Sequence, residues 1–465
     1  MGPRVLAAGL LLAALPALAD TPPSSTPKPH PKKAAARRTT AKRNTAKKTS
    51  SNKTVAGKNT SKKIAHKRAR RIPPVYVSPQ VRHVAYQAVS ARAAKPMGAL
   101  SGGGALVPFF EQVSRPSETG SLHILHYGDS HTASDDWADE IRQALQRKFG
   151  AGGPGFVLAG HPFAGYRRFD SHGSSTRGWH TDGLVGHPGD GIYGLSGVSL
   201  TAQSSGERVT LEAQCQQLEL HYLQQPGGGE LQLAVDGAPV DVIHTAGDLA
   251  DGVYHLTPQP GPHEFSVTTL SDAPVRLFGW VAQNQSGITY ETLGINGAQA
   301  NMILQWEPSV LRGEISSRDP ALIVLAYGTN EALSRSWTAE GYRREFEQVL
   351  QRLRADAPVA SILVVGPPDC LFRSRGRRLP FPHLEEVIDI QREIALASGC
   401  AFWDWRTRMG GPGSVRQWVQ AGLSQGDYTH FTSAGYRLVG DMMVEELMDQ
   451  YSRFLAARAE VGSGQ

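Results

Sequence analysis

The strongest constraint on the fold of this chain is a repeated pairing of a short apolar run with an amphipathic helix. The mostly apolar run 122–125 reads as a buried strand, and the helical pattern after it has apolar residues at every fourth position. Two more such runs, 321–326 and 362–365, are also followed by helical patterns. Strands that alternate with helices indicate a parallel sheet that is covered by helices on both faces.

A second pattern interrupts the first between residues 161 and 284. Six short runs alternate between apolar and polar residues, and turns rich in Gly, Pro and Asp-Gly separate them. This pattern is typical of a β-sandwich, here inserted into an α/β domain. Inserted sandwiches of this kind either bind carbohydrate or brace the catalytic domain. The six runs are 198–201, 208–213, 217–222, 230–235, 263–268 and 275–281.

The first 19 residues have the features of a secretory signal peptide. Arg4 supplies the positive charge, residues 5–15 are apolar, and Ala17-Leu18-Ala19 resembles a cleavage site with small residues. No later segment is apolar enough over a sufficient length to span a bilayer. We therefore expect an exported protein with no transmembrane segment in the mature chain, located in the periplasm or elsewhere in a bacterial cell envelope.

The formal charge of +6 arises from one segment of the chain. Residues 21–71 contain 17 Lys or Arg, and residues 21–110 contain no Asp or Glu. After residue 110 there are 27 basic and 41 acidic residues, a net charge of about −14. The basic segment lacks aromatic residues and has little apolar surface to bury, so we expect it to be disordered. It is either a solvated spacer or a contact for an anionic cell-wall or membrane-surface polymer. Export argues against nucleic acid as its natural partner.

The three cysteines leave two alternatives open. Cys370 follows a predicted strand and Cys400 begins another, so they either form a disulfide in an oxidising compartment or remain as two buried thiols. Cys215 has no evident partner. No metal-ligand spacing involves any of the three, and nothing in the sequence calls for a metal or a cofactor.

Two short motifs together predict a serine nucleophile. Ser130, in Gly128-Asp129-Ser130, stands between the strand 122–125 and the next helix, where open α/β sheets place their sites. Asp427 and His430 are separated by two residues, so a turn can fold the carboxylate back onto the imidazole. Such a pair fixes the imidazole tautomer and stabilises the imidazolium that forms when the ring accepts a serine proton.

Four motifs in this order resemble those of the SGNH (GDSL-type) hydrolases: Gly-Asp-Ser, Asn-Gly-Ala at 296–298, Gly-Thr-Asn at 328–330 and Asp-X-X-His. The resemblance implies a catalytic triad of Ser130, Asp427 and His430. It further implies that the oxyanion hole consists of the backbone N–H groups of Ser130 and Gly297 and the side chain of Asn330. No Gly-X-Ser-X-Gly elbow surrounds Ser130, which argues against an ordinary α/β-hydrolase.

Within this family the chain looks most like the peptidoglycan O-acetylesterases. In that group Gly-Asp-Ser-His-Thr also opens the domain, and a carbohydrate-binding-like sandwich lies between the first two motifs. The chain departs from the wider family at Glu331, where Asp is common, and in its basic tail. The resemblance implies an SGNH-like parallel sheet flanked by helices, with an inserted β-sandwich and a disordered basic N-terminal tail.

These patterns predict six segments. They are a signal peptide (1–19), a disordered basic tail and linker (20–100), the first part of the hydrolase domain (101–160), the inserted sandwich (161–284), the second part of the hydrolase domain (285–458) and a flexible C-terminus (459–465). Tyr127 and His131 either line the pocket or belong to the start of the helix. Asp129 is expected to stabilise the turn.

Three functions remain open at this point. The first is an exported esterase that removes O-acetyl groups from a glycan, with O-acetylated peptidoglycan as the expected substrate. The second is an O-acetyltransferase that passes the acyl group to a sugar hydroxyl instead of water. The third is a non-catalytic wall-binding protein, against which the intact set of site residues argues.

Overall fold

The computed structural model describes residues 75–95, 98–115, 120–184 and 189–463. The predicted signal peptide and residues 20–74 of the predicted tail lie outside these ranges. Among the residues inside them, no helix is long and apolar enough to cross a membrane. The α-helices of the described part are α1 (Pro79–Ala93), α2 (Val107–Ser114), α3 (Ser130–Ala133), α4 (Asp136–Phe149), α5 (Pro308–Arg318), α6 (Ala339–Asp356), α7 (Leu384–Ala397), α8 (Trp405–Met409), α9 (Val415–Ala421) and α10 (Ser433–Ser463).

In the described ranges, the strands form three larger sheets and one hairpin. Short 3-10 helices lie at Gly103–Leu106, Ala300–Gln305 and Glu331–Leu333. The strands are β1 (Leu100–Ser101), β2 (Gly120–Gly128), β3 (Gly155–Val157), β4 (His172–Ser175), β5 (His180–Gly183), β6 (Val198–Ala202), β7 (Arg208–Gln214), β8 (Gln217–Gln224), β9 (Glu230–Val235), β10 (Ala238–His244), β11 (Ala250–Leu256), β12 (Pro262–Thr269), β13 (Val275–Gln283), β14 (Ser286–Gly294), β15 (Leu322–Ala326), β16 (Ser361–Val365), β17 (Leu371–Ser374), β18 (Arg377–Pro380) and β19 (Ala401–Trp403).

The central sheet has the strand order β1-β19-β16-β15-β2-β14. All its neighbouring strands are parallel except the short edge strand β1, which pairs antiparallel with β19. After the edge strand β1, the chain forms β2 in the interior of the sheet, adds β14 on one side of it, and then adds β15, β16 and β19 on the other. This reversal makes the sheet doubly wound, and ligands of such sheets bind at the carboxyl ends of the strands where the order reverses. The predicted parallel α/β sheet is confirmed.

Both faces of the central sheet are buried, which explains the continuous apolar runs. Successive residues of a strand point to opposite faces. Leu125 and Ile323 thus pack in a cluster with α5, α6 and α7, whereas Ile124 and Val324 pack in a cluster with α1, α2, α4 and α10.

Two antiparallel sheets occupy the chain between α4 and β14. Their orders are β10-β9-β12-β7-β4 and β11-β8-β13-β6-β5, with β3 also paired to β13. Apolar side chains from both sheets, such as Val267 and Leu277, share one hydrophobic cluster. All six predicted strands of this region are present, and pairing begins at β3, before the expected boundary at residue 161. Carbohydrate binding by this region stays a prediction.

Two boundary predictions differ from the structure. The linker was expected to reach residue 100. Instead, residues 79–93 form the regular helix α1, which packs against α9. Its small side chains Ala85, Val89 and Ala93 are buried. The expected flexible C-terminus at 459–465 is helical through Ser463, since α10 continues through the good helix formers around Ala459. Cys215, Cys370 and Cys400 are all free and buried, so Cys370 and Cys400 remain thiols.

The packing of α1 predicts a contrast between two valines on this helix. Val89 is 1% exposed and Val84 is 65% exposed. Val89→Ala should lower the free energy of unfolding by about 2 kcal/mol, because it leaves a cavity. Val84→Ala should change it by less than about 0.5 kcal/mol. Urea denaturation of both variants checks this, and equal stabilities would mean that residues 79–93 behave as a linker.

Candidate active site

Ser130 lies at the carboxyl end of β2, as the first residue of the short helix α3. The carboxylate of Asp129 caps this helix by accepting a hydrogen bond from the N–H of His131 at 2.9 Å. The side chain of Ser130 is partly exposed, while those of Asp129 and His131 are buried. The turn therefore presents one hydroxyl group to solvent and holds its neighbours inside the protein.

Two glycines allow α3 to lie against the sheet. A Cβ atom on Gly128 would lie 2.1 Å from the hydroxyl oxygen of Thr132, and one on Gly294 would lie 2.2 Å from the backbone nitrogen of Ala133. Gly128 belongs to the predicted motif. Gly294 was not singled out from the sequence, because its requirement comes from a helix that is distant along the chain.

Asp427 and His430 form the turn that their spacing predicts. One oxygen of the Asp427 carboxylate accepts the backbone N–H groups of Thr429 and His430 at 3.0 and 3.1 Å. The other oxygen lies 2.8 Å from Nδ1 of His430. Tyr428 closes the turn with a φ of +66°, in the left-handed region.

Ser130 and this turn meet although 300 residues separate Ser130 from His430. The hydroxyl oxygen of Ser130 lies 3.0 Å from Nε2 of His430, whose other ring nitrogen faces Asp427. Burial would raise the pKa of Asp427, but the hydrogen bond and the charge of His430, with two backbone N–H groups, hold it below its usual value. The carboxylate is therefore ionised at neutral pH and can stabilise a protonated His430.

Aromatic side chains pack around His430 and hold its ring in place. The ring of His131 stacks on the ring of His430 with centroids 5.1 Å apart, and its Nδ1 lies 2.9 Å from the hydroxyl of Tyr436. Phe431 packs between Trp405 and Trp418. Burial, followed by the nearby charge of His430, lowers the pKa of His131 well below its usual value, so His131 is neutral.

Gly297 and Asn330 lie on the two loops that flank the Ser130 turn. The ends of β14 and β15, at Gly294 and Ala326, are both in register with Gly128 of β2. Gly297 has a φ of +78° and open space where a side chain would stand. The amide nitrogen of Asn330 donates to the carbonyl of Ala298 at 2.9 Å, which joins the two loops. Since an amide has two N–H groups, one remains for another acceptor.

Tyr127 and His131 do not line an open pocket. Tyr127 is 1% exposed, and its hydroxyl donates to the carbonyl of Leu195 at 3.1 Å. His131 is 2% exposed and belongs to the start of α3. Side chains alternate along a strand, so the Tyr127 ring points to the face that packs against Trp306.

The hairpin formed by β17 and β18 supports the Asp427–His430 turn and was not predicted. Arg378 donates to the carbonyl of Asp427 at 2.8 Å, and its guanidinium lies 4.5 Å from the ring centroid of Tyr428. The N–H of Leu371 donates to the carbonyl of Tyr428 at 3.0 Å. No motif marks such a support, because its contacts are made to the backbone of a distant loop. Among the described residues, no group of His, Cys, Asp and Glu side chains is placed to hold a metal ion.

A comparison with known families shows which class of protein this chain is similar to. The model of the GDSL-like lipase/acylhydrolase family matches residues 263–438. This span includes Gly297, Asn330, Asp427 and His430, and Ser130 lies before it. The match and the fold support the resemblance to the SGNH (GDSL-type) hydrolases that the motifs predict, and with it a serine esterase as the class of enzyme.

The chain is also similar to a solved structure of a peptidoglycan O-acetylesterase. It is 26% identical, has a TM-score of 0.67, and covers 77% of this chain and 100% of its own. Family two carbohydrate esterases from Clostridium thermocellum, with bound cellohexaose, and from Cellvibrio japonicus also match at 14% and 12% identity. They cover 55% and 61% of this chain and 95% and 99% of their own, but their TM-scores of 0.26 add nothing to the assignment. No curated protein sequence matches the chain.

The burial of Asp129 predicts a pH-dependent cost in stability. Burial raises its pKa from 3.8 to about 6, against the lowering effects of the His131 N–H and of the charge of His430. The folded protein thus binds this proton more tightly than the unfolded chain, and stability falls as the pH rises through this interval. Asp129→Asn should gain up to about 3 kcal/mol over the unsubstituted protein between about pH 4 and pH 7.

Asp427→Asn is the matched control with the opposite sign. Since the pKa of Asp427 is lowered, the unsubstituted protein should gain stability over this variant as the pH rises through the acid range. Urea denaturation across the pH range measures both differences. A pH-independent difference for Asp129→Asn would contradict the assignment of a raised pKa.

Proposed function

We propose that this protein removes O-acetyl groups from a cell-wall polysaccharide, with O-acetylated peptidoglycan as the substrate, through an acyl-enzyme on Ser130. The observation that carries the proposal is the contact chain from Ser130 through His430 to Asp427. In this proposal His430 is the general base for the Ser130 hydroxyl, and Asp427 is the carboxylate that supports the base.

In the first half of the reaction, the Ser130 oxygen attacks the acetyl carbonyl carbon while Nε2 of His430 takes the hydroxyl proton. The negative charge that forms on the carbonyl oxygen is stabilised by the N–H groups of Ser130 and Gly297 and by the free amide N–H of Asn330. The tetrahedral intermediate then collapses and breaks the ester bond. The sugar oxygen leaves with the proton from His430, and the acetyl group stays on Ser130.

In the second half, water replaces the sugar. His430 takes a proton from the water as it attacks the acetyl-serine, and the same donors stabilise the second oxyanion. Collapse of this intermediate releases acetic acid and returns the proton to Ser130. Asp427 remains ionised throughout and stabilises the imidazolium in both halves.

The substrate class is supported by the likeness to a peptidoglycan O-acetylesterase. The loop between β3 and β4 contacts the loop that carries Gly297, because the side chain of Asn296 donates to the carbonyl of Ala164 at 2.8 Å. A glycan that binds along the loop between β3 and β4 would therefore lie next to the proposed oxyanion hole. The same loop ends at Phe169, which is 45% exposed at a groove of about 420 Å³ along β4, β7 and β12. Its walls include His172, Glu212 and Glu264. An exposed ring beside hydrogen-bonding groups suits an oligosaccharide.

The cellular setting is proposed from the sequence alone. A signal peptide at 1–19 would export the chain to the periplasm or cell envelope, where peptidoglycan lies. The basic residues at 21–71 would then hold the enzyme near an anionic polymer of the wall or the membrane surface.

Ser130→Ala should abolish acetate release from O-acetylated peptidoglycan, because it removes the hydroxyl group that forms the acyl-enzyme in this mechanism. Ser121→Ala, at the opposite end of the same strand, is the control and should behave like the unsubstituted protein. Acetate is measured enzymatically, and the glycan products are weighed by mass spectrometry with an acceptor sugar present. Full acetate release by Ser130→Ala would refute the mechanism. Transfer of acetyl to the acceptor sugar would instead indicate an acetyltransferase.

Phe169→Ala should separate glycan contact from the chemical step. We expect its KM for O-acetylated peptidoglycan to rise about fivefold to tenfold, the equivalent of ~1 kcal/mol of binding. Its kcat and KM for a small chromogenic acetyl ester should not change. Leu270→Ala removes a similarly exposed apolar side chain outside the groove and should change neither. An unchanged KM for the polymer would exclude this groove as a glycan contact.

A further inference from the structure

Glu331 is a buried carboxylate between the two loops that flank Ser130. It directly follows Asn330 and is 4% exposed. One carboxylate oxygen accepts the N–H of Ala300 at 2.8 Å, and the other accepts the N–H of Gly328 at 3.0 Å. Ala300 belongs to the loop that carries Gly297, and Gly328 to the loop that carries Asn330. One side chain therefore joins both loops.

The bond from Asn330 to the carbonyl of Ala298 joins the same two loops. The two hydrogen bonds have opposite donors and acceptors. Glu331 accepts from the loop that carries Gly297, and Asn330 donates to that same loop. Together they fix the separation and the orientation of the Gly297 backbone relative to the Asn330 amide. A shift of about 1 Å in such groups is enough to cost 10²-fold in rate.

The Glu331 carboxylate makes these two bonds with two different oxygens. In the same position, a glutamine amide would present an acceptor to one N–H group and a donor to the other. The carboxylate is retained despite its cost: burial, with the nearby charge of Asp129, raises the pKa of Glu331 to about 7. Burial of an acid at this point lowers the stability of the fold. This favours a role of Glu331 in the reaction over a role in folding.

We propose that Glu331 is a positioning residue that holds the backbone N–H of Gly297 and the amide of Asn330 in place for the oxyanion. This inference rests on the proposed function of these two donors. Because the oxyanion exists only after attack by Ser130, Glu331 acts on the transition state and not on substrate binding. Glu331 itself touches neither the substrate nor the reacting atoms.

The test compares Glu331→Gln with Glu331→Asp in the full chain, using a chromogenic acetyl ester. The concentration of active sites is taken from titration with a serine-directed phosphonate, so that unfolded protein does not count. We expect kcat per active site to fall about 10- to 100-fold in Glu331→Gln, with KM changed less than about twofold. Glu331→Asp keeps both acceptor atoms on a shorter side chain and should lose less.

Glu314→Gln is the matched control, because Glu314 is also buried and burial also raises its pKa to about 7. It lies on α5, away from the loops of Gly297 and Asn330. This variant should keep the kcat of the unsubstituted protein. An equal loss of kcat in Glu314→Gln would overturn the proposal, since it would trace the effect to the removal of any buried acid.

A double-variant comparison separates positioning from an independent effect. If Glu331 acts through the two donors, Glu331→Gln should cost less in the Asn330→Ala background than in the unsubstituted protein, because only the Gly297 donor can still be displaced. Losses that multiply, or an unchanged kcat per active site in Glu331→Gln, would overturn the inference. If Glu331→Gln does not fold, an unchanged kcat per active site in Glu331→Asp would overturn it. The proposed function fails separately, if Ser130→Ala stays active.

Discussion

The parallel pairing of β2 with β14 on one side and β15 on the other is the constraint on which the site depends. Both neighbours are in register with β2 at Gly128, so the loops that follow the three strands begin at the same level. Ser130 follows β2, Gly297 follows β14 and Asn330 follows β15. A one-residue slip in either pairing would reverse the alternation of buried side chains, and two filled apolar clusters prevent it.

Buried polar groups connect the loops of the site and hold them in place. The burial of these groups lowers the stability of the folded protein. Asp129 caps the nucleophile helix, and Glu331 joins the loops of the two oxyanion donors, yet burial raises the pKa of both carboxyls. An asparagine could cap the nucleophile helix about as well as Asp129 does. A neutral amide in place of Glu331 could not offer an acceptor to both N–H groups in the same geometry. Stability given up in this way at a functional site is a common trade-off.

The sequence predicts the parts of the site that depend on local geometry. Ser130 stands at a strand end, and the spacing of Asp427 and His430 defines a turn within four residues. The bridging role of Glu331 could not be predicted, because it depends on where a loop 31 residues away lies. Helix α1 was missed for a related reason: its buried face consists of Ala85, Val89 and Ala93, which are too small to stand out as an apolar stripe.

If the acetyl group passes through Ser130, an acetylated form of the enzyme can be trapped during the reaction. O-acetylated peptidoglycan is mixed with the enzyme, the reaction is stopped with acid within one turnover, and the peptides are mapped by mass spectrometry. The proposed mechanism predicts an acetyl group on the peptide that contains Ser130, and at that residue. Rapid acetate release with no acetylated Ser130 peptide, or with acetyl on another residue, would contradict it.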